Sequence, residues 1–205
     1  IAEEIIQNRN LVFHDSLGWY EYNNGVWQSK SDSDIRSYVD GKLMRFSKGG
    51  IINSVLTVLQ SRCNYSGEFN TFSEHINFQN GMLNIKTGKL QSHDLDYMST
   101  NQLSYNYEPD ANCPKWKQFI SDVTDGDISR QNMLQEMFGY CLTGSTKYQK
   151  AFFLIGEGAN GKSVLLKLLE VMLGDDNVAH VPLSGLTEDF QRVLLHNKNV
   201  NIVPE

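Results

Sequence analysis

The stretch GEGANGKS at residues 156–163 lies between an apolar run, AFFLI at 151–155, and an amphipathic one, VLLKLLEVML at 164–173. No other feature of the chain restricts the fold so tightly. Gly156, four further residues, then Gly161, Lys162 and Ser163 fit the phosphate-loop spacing at every fixed position. In that pattern glycines let successive backbone N–H groups curl round phosphate oxygens. The lysine reaches the β- and γ-phosphates, and the hydroxyl ligates magnesium. The spacing predicts a strand over 151–155, a loop over 156–161 and a helix over 162–173, stopped by Gly174.

The same residues also fit a glycine-rich turn from strand to helix that holds no ligand. Lys162 weighs against that reading, because the first turn of a helix carries partial positive charge and disfavours a cation. An anion held there would resolve the conflict.

Downstream, VAHV (178–181) predicts a second strand, Glu188 to Leu195 a helix, and NVNIV (199–203) a third strand leading to Pro204-Glu205. This order indicates a mostly parallel sheet covered by helices, a class that binds ligands beyond the carboxyl ends of its strands. In phosphate-loop ATPases an acid at the end of the neighbouring strand holds magnesium or polarises the attacking water, which makes Glu205 a candidate. An acid at a strand end is also commonly a solvated turn residue, and both readings stay open.

Composition sets outer limits. With 205 residues and 40% hydrophobic content the chain can bury a core and make one or two domains. Its net charge of −6 gives no global basic field for nucleic acid, so DNA handling would need a local basic surface. Cys63, Cys113 and Cys141 are far apart and without zinc-type spacing, and read as reduced thiols. His14, His75, His93, His180 and His196 show no metal spacing. Apolar runs such as AFFLI are too short to span a bilayer, and no charged start with an apolar core opens the chain. The expectation is a cytoplasmic protein without a membrane partner. The start at Ile1 and the end at Glu205 on a strand-like run read as points inside a longer protein.

Along the N-terminal half, residues 2–13 read as a helix, and WYEYNNGVWQ (19–28) as a hairpin turning at Asn23-Asn24-Gly25. Caps at 31–34 introduce a helix running to about Phe46, Lys48-Gly49-Gly50 breaks it, and Ile51 to Cys63 reads as a second buried helix. INFQNGMLNIKTGKLQSHD (76–94) reads as a small antiparallel sheet. At 108–114 the character changes to helix, with Pro114 at a helix start and a further helix from Ser129 to Leu142 ended by Gly144. The resulting division is an α+β N-terminal domain over 1–112, a helical lead-in over 113–148, and a truncated α/β phosphate-loop core over 149–205.

Two other clusters carry a functional and a plain reading. Lys42, Arg45 and Lys48 could contact DNA phosphates, or form a solvated helix face beside Asp34 and Asp40, the reading favoured because so few charges make a poor phosphate footprint. Trp19, Tyr20, Tyr22 and Trp27 could stack on bases, or pack one face of a hairpin on a core, which is the commoner use.

GEGANGKS, preceded by GYCLTGSTKYQKAFFLIG (139–156) and by the INFQNGMLNIKTGKL segment, resembles the phage and plasmid primase-helicases related to the poxvirus primase-helicase, of helicase superfamily 3. The resemblance covers roughly 10–205 and is most specific over 139–163. It implies an AAA+-like, ATP- and Mg2+-dependent DNA helicase of a phage, plasmid or mobile element, working in a bacterial host or with a virus as a homo-oligomer, a hexameric ring. Carried over by position, Gly156, Gly158, Ala159, Asn160, Gly161, Lys162 and Ser163 would bind nucleotide, Ser163 and Glu205 would hold the metal, and Lys162 and Glu205 would be catalytic. The family's DNA-binding hairpin, sensor residue and arginine finger follow the second motif, which this chain reaches only at Glu205. Two other classes stay open: a different phosphate-loop NTPase or kinase, and a non-catalytic assembly module.

Overall fold

The computed structural model describes residues 1–158 and 160–203; Ala159, Pro204 and Glu205 lie outside the described residues. The chain is a mixture of α and β elements arranged in two compact units. The first comprises Ile1–Thr71 with Asp94–Thr100; the second comprises Phe72–His93 with the described residues from Asn101 on.

In the first unit, α1 (Ala2–Asn8) leads to a three-stranded antiparallel sheet of β1 (Leu11–His14), β2 (Gly18–Asn23) and β3 (Val26–Lys30). The helix expected to reach residue 13 stops short, because Leu11, Val12 and Phe13 pair with Glu21, Tyr20 and Trp19. Tertiary pairing takes from the helix a run whose local pattern fits either state. The hairpin forms as expected: Asn23 pairs with Val26, and Asn24 and Gly25 fill a two-residue turn at φ 48° and 89°. Positive φ at both positions matches the right-handed twist of the flanking strands.

Helix α2 (Asp32–Leu43) opens on a reciprocal cap, in which the Ser31 hydroxyl accepts from Asp34 N–H and the Asp34 carboxylate accepts from Ser31 N–H. It passes Gly41 unbroken and ends before Met44, whose φ of 49° turns the chain. Helix α3 (Gly49–Arg62) begins at the glycine pair expected to interrupt the chain. Ile5, Trp19, Ile35, Val39, Leu43, Ile52 and Leu59 form the core of this unit. Trp19 is almost wholly buried, and its ring meets that of Phe13 at 4.9 Å. The returning segment 94–100 is tied to β3, where Trp27 N–H donates to Ser99 O at 2.8 Å and the Trp27 indole donates to Leu95 O at 3.1 Å.

The second unit begins with an antiparallel sheet of β4 (His75–Phe78), β5 (Gly81–Asn84) and β6 (Lys89–Gln91). Residues 103–107 run alongside β4 in the same direction: Leu103 N–H donates to Asn77 O, Gln79 N–H donates to Tyr105 O, and the Asn80 amide pairs with both the N–H and C=O of Tyr107. Helices α4 (Pro114–Val123), α5 (Ile128–Thr143) and α6 (Lys162–Leu173) follow. Pro114 sits in the first turn of α4, and Gly144, at φ 60°, ends α5. Its last carbonyls, Cys141 O and Leu142 O, accept from the Asn199 amide.

The expected division at 108–114 does not coincide with these units. Ile76, Phe78, Leu83 and Leu103 share one buried cluster with Ile120, Leu134, Phe138, Leu165, Leu169 and Leu173, so the small sheet packs with the helices that follow it. After α6 come β7 (Val178–Ala179), the short helix α7 (Asp189–Arg192) and β8 (Val200–Asn201). The strands β7 and β8 pair in parallel, Val178 with Val200 and Ala179 with Asn201. The Asn201 amide extends the pairing by bonding both N–H and C=O of Val181. The strand expected over 151–155 is absent: these residues are outside any strand, with Phe153 and Ile155 exposed and Leu154 partly packed on the core. A run becomes a strand only when a neighbour takes up its N–H and C=O groups, and the two-residue pair β7/β8 does not extend to it.

Candidate functional site

Helix α6 occupies the expected residues, Lys162–Leu173, and Gly174 ends it. Spacing four apart puts Leu165, Leu169 and Leu173 on the buried face, where they join α5 and the parallel pair in one cluster. The opposite end of the helix is left polar and accessible. Its first turn holds no acidic residue, and no side chain caps it. Among the described residues, the positive end of its dipole and its leading N–H groups therefore receive no side-chain cap and no acid from the helix itself.

Gly161, the residue before α6, has φ 85° and ψ −2°, in the left-handed region. A Cβ there would lie 2.7 Å from Val123 Cγ1 and 3.1 Å from the Phe119 ring, so the loop seats directly on α4. Phe119 and Val123 stand four residues apart on one face of α4. Their service as the floor under the loop was not legible in sequence, since nothing local links 119 and 123 to 161.

Lys162 turns back over the loop. Its Nζ donates to Gly156 O at 2.6 Å, to Glu157 O at 3.0 Å and to Asn160 Oδ1 at 2.9 Å. Gly156, Asn160, Gly161 and Lys162 thus lie together, with the carbonyls of Gly156 and Glu157 as acceptors that the spacing did not name. Gly158 has open space where a Cβ would stand. Ser163 is exposed at the first turn of α6. The expectations for Ala159 and Glu205 lie outside the described residues.

The remaining candidates separate. Trp19, Tyr20 and Trp27 are buried in packing contacts rather than offered to a base. The chain turn at Met44 separates Lys42, on α2, from Arg45 and Lys48 beyond the helix. Lys42 donates to Glu4 at 2.9 Å, and the Arg45 guanidinium lies 4.9 Å from the Phe46 ring. The Lys42 partner holds the Glu4 carboxyl below its ordinary value. Cys63 and Cys141 are buried, and burial pushes both thiols up, away from nucleophilic use. Among the described residues no group of three or more His, Cys, Asp and Glu side chains could hold a metal ion, and no helix is long and apolar enough to cross a membrane.

Comparison with known proteins reaches the chain from its other end. It is 23% identical over 54% of its length to an uncharacterized mitochondrial protein, ymf21, of Marchantia polymorpha, covering 68% of that protein. It is 30% identical over 52% of its length to Primase D5 of Fowlpox virus, covering 14% of it. A third relative, L207/L206 of Acanthamoeba polyphaga mimivirus, provisionally named a helicase, is 29% identical over 49% of this chain and 11% of its own length. The chain thus spans a small part of the two viral relatives. A family described as D5 N terminal like matches residues 1–125, all of α1 to α4, and stops before the glycine-rich loop. With more than half its length inside that match, the chain belongs to the D5 N terminal like family.

Proposed function

We propose that this chain is the N-terminal module and nucleotide-binding segment of an ATP-dependent DNA helicase used in replication, with Mg-ATP held at residues 156–163. The observation that carries the reading is the meeting of a glycine-led helix start with a lysine folded over its own loop. The first turn of α6 has no side-chain cap and no acid, and among the described residues the Lys162 ammonium is the charged group bonded to the Gly156 and Glu157 carbonyls. Such an arrangement suits a polyanion.

The donor set fits the ligand. Lys162 would exchange three uncharged oxygens for anionic phosphate oxygens, turning ion–dipole contacts into contacts between opposite charges. Backbone N–H groups at the start of α6 would point at the phosphates, with Gly158 leaving room for their approach. The Ser163 hydroxyl would ligate magnesium, with Glu205 as the acid of the second motif that holds it. When bound there, magnesium would supply positive charge against the negative charge of the phosphates. The poxvirus and mimivirus relatives, named primase and helicase, support DNA as the partner, and a ring of subunits follows from the superfamily resemblance.

The test is titration calorimetry of the chain with Mg-ATP, followed by a steady-state ATPase assay of the longer protein with and without single-stranded DNA. Saturable binding and DNA-stimulated turnover are expected. Binding without DNA stimulation would point instead to another class of phosphate-loop enzyme, and absence of binding would defeat the reading.

A further inference from the structure

The chain contains three Asn-Gly steps, Asn24-Gly25, Asn80-Gly81 and Asn160-Gly161. At such a step the glycine backbone nitrogen can attack the asparagine side-chain carbonyl carbon, because no Cβ shields it. A bond forms between that nitrogen and Cγ, the Cγ–Nδ2 bond breaks, and ammonia leaves with the proton given up by the backbone amide. Water then opens the five-membered imide at either carbonyl, leaving an aspartyl or isoaspartyl residue. The reaction needs a side chain not clamped on both amide atoms and a backbone not locked by strand pairing, and a polarised carbonyl speeds it.

The fold treats the three steps differently. The Asn80 amide is clamped at both ends, accepting from Tyr107 N–H at 2.9 Å and donating to Tyr107 O at 3.0 Å, while Gly81 is paired in a strand opposite Phe78. Asn24 and Gly25 are the turn of a tight hairpin whose flanking residues, Asn23 and Val26, are paired, so the backbone of that step is fixed. Asn160 is exposed and lies outside any helix or strand. Its Oδ1 accepts from the Lys162 ammonium at 2.9 Å. A cation on that oxygen draws electrons from Cγ and stabilises the negative charge that develops on Oδ1 as the nitrogen attacks.

We propose that Asn160 is a self-modification site: Lys162 activates its side-chain amide toward loss of ammonia, and the carboxylate that results disables the loop. That carboxylate would stand where the amide oxygen now meets Lys162, and would hold the ammonium as an ion pair rather than through an uncharged acceptor. Its negative charge would also face the incoming phosphates. The isoaspartyl product would add a backbone atom beside Gly161, which already lies close to Val123 and Phe119. The disabling half of the proposal rests on the nucleotide reading above; the modification itself does not.

The experiment is prolonged incubation of the chain at mildly alkaline pH, with peptide mapping by mass at each Asn-Gly step. The amide-to-acid mass change accumulates first at 160, and more slowly there in Lys162→Ala with 24 and 80 unaffected. Conversion at 24 or 80 as fast as at 160, or an unchanged rate at 160 in Lys162→Ala, overturns the proposal. A parallel incubation with Mg-ATP separates the two readings. Protection confined to 160 supports both, whereas no protection with 160 still first leaves the modification site standing and counts against nucleotide binding. Asn160→Asp binds Mg-ATP about ten- to a hundredfold more weakly than wild type, and equal affinity overturns the disabling half.

Discussion

The Lys162 ammonium lies 2.6 Å from the carbonyl oxygen of Gly156, a residue six positions earlier in the chain. This contact closes the loop on itself, and the Glu157 carbonyl and the Asn160 amide complete the ammonium's three bonds. Any anion entering the loop must therefore take the lysine away from neutral acceptors.

Replacement of that lysine is the first test of the site. In Lys162→Ala, affinity for Mg-ATP is expected to fall by about ten- to a hundredfold, the value of a charged hydrogen bond. The N-terminal unit contains none of these residues and should keep its circular dichroism and the emission of buried Trp19. Equal affinities by titration calorimetry would sink the assignment.

Gly161→Ala examines how the loop is seated. The left-handed backbone at φ 85° costs an ordinary residue about 1–3 kcal/mol, and its Cβ would press on Val123 at 2.7 Å. Denaturant unfolding should show a loss of at least that size. A variant as stable as wild type would mean that the loop does not rest on α4.

The loop-to-helix step was legible in sequence to the residue, because Gly161 and Gly174 bracket an apolar period of four that needs no distant information. The two-residue turn at Asn24-Gly25 was legible for the same reason. What failed depended on distant partners. Residues 11–13 look helical until β2 claims them, and AFFLI looks like a strand although no neighbouring strand accepts it. The inward turn of Lys162 was likewise hidden, since its acceptors include two backbone carbonyls that any residue would supply. The resemblance to the poxvirus primase-helicase is met by a match to the D5 N terminal like family, which falls on the N-terminal 125 residues rather than on the loop that prompted the comparison.

The buried end of α6 gives a stability test. Leu173 is fully buried, while Val171 two residues earlier is 61% exposed. Leu173→Ala is expected to cost about 2–5 kcal/mol in urea unfolding. Val171→Ala should stay within about 0.5 kcal/mol of wild type. Similar effects from both would place α6 in a different rotation about its axis.

The cap of α2 links stability to pH. Hydrogen bonds from the Ser31 hydroxyl and backbone N–H lower the Asp34 carboxyl below its ordinary 3.8. A group depressed on folding stabilises the fold at pH above its unfolded value, and that contribution disappears as pH falls from about there through the folded value. Thermal unfolding followed between neutral pH and strong acid should therefore show a smaller drop below pH 3.8 in Ser31→Ala than in wild type. Parallel curves would show that the reciprocal cap contributes nothing to the acid response.

The chain passes between its two compact units three times, after Thr71, after His93 and after Thr100. Neither unit is therefore a continuous length of gene. A DNA segment cut at the edge of the family match, residue 125, would encode the β4–β6 sheet together with α4 but without α5 and α6. Ile76, Phe78, Leu83 and Ile120 would then meet water in place of Leu134, Phe138 and Leu165. Recombination or cloning that respects the sequence family would produce sticky, half-cored protein, so the unit that can be inherited or expressed intact runs at least through α6.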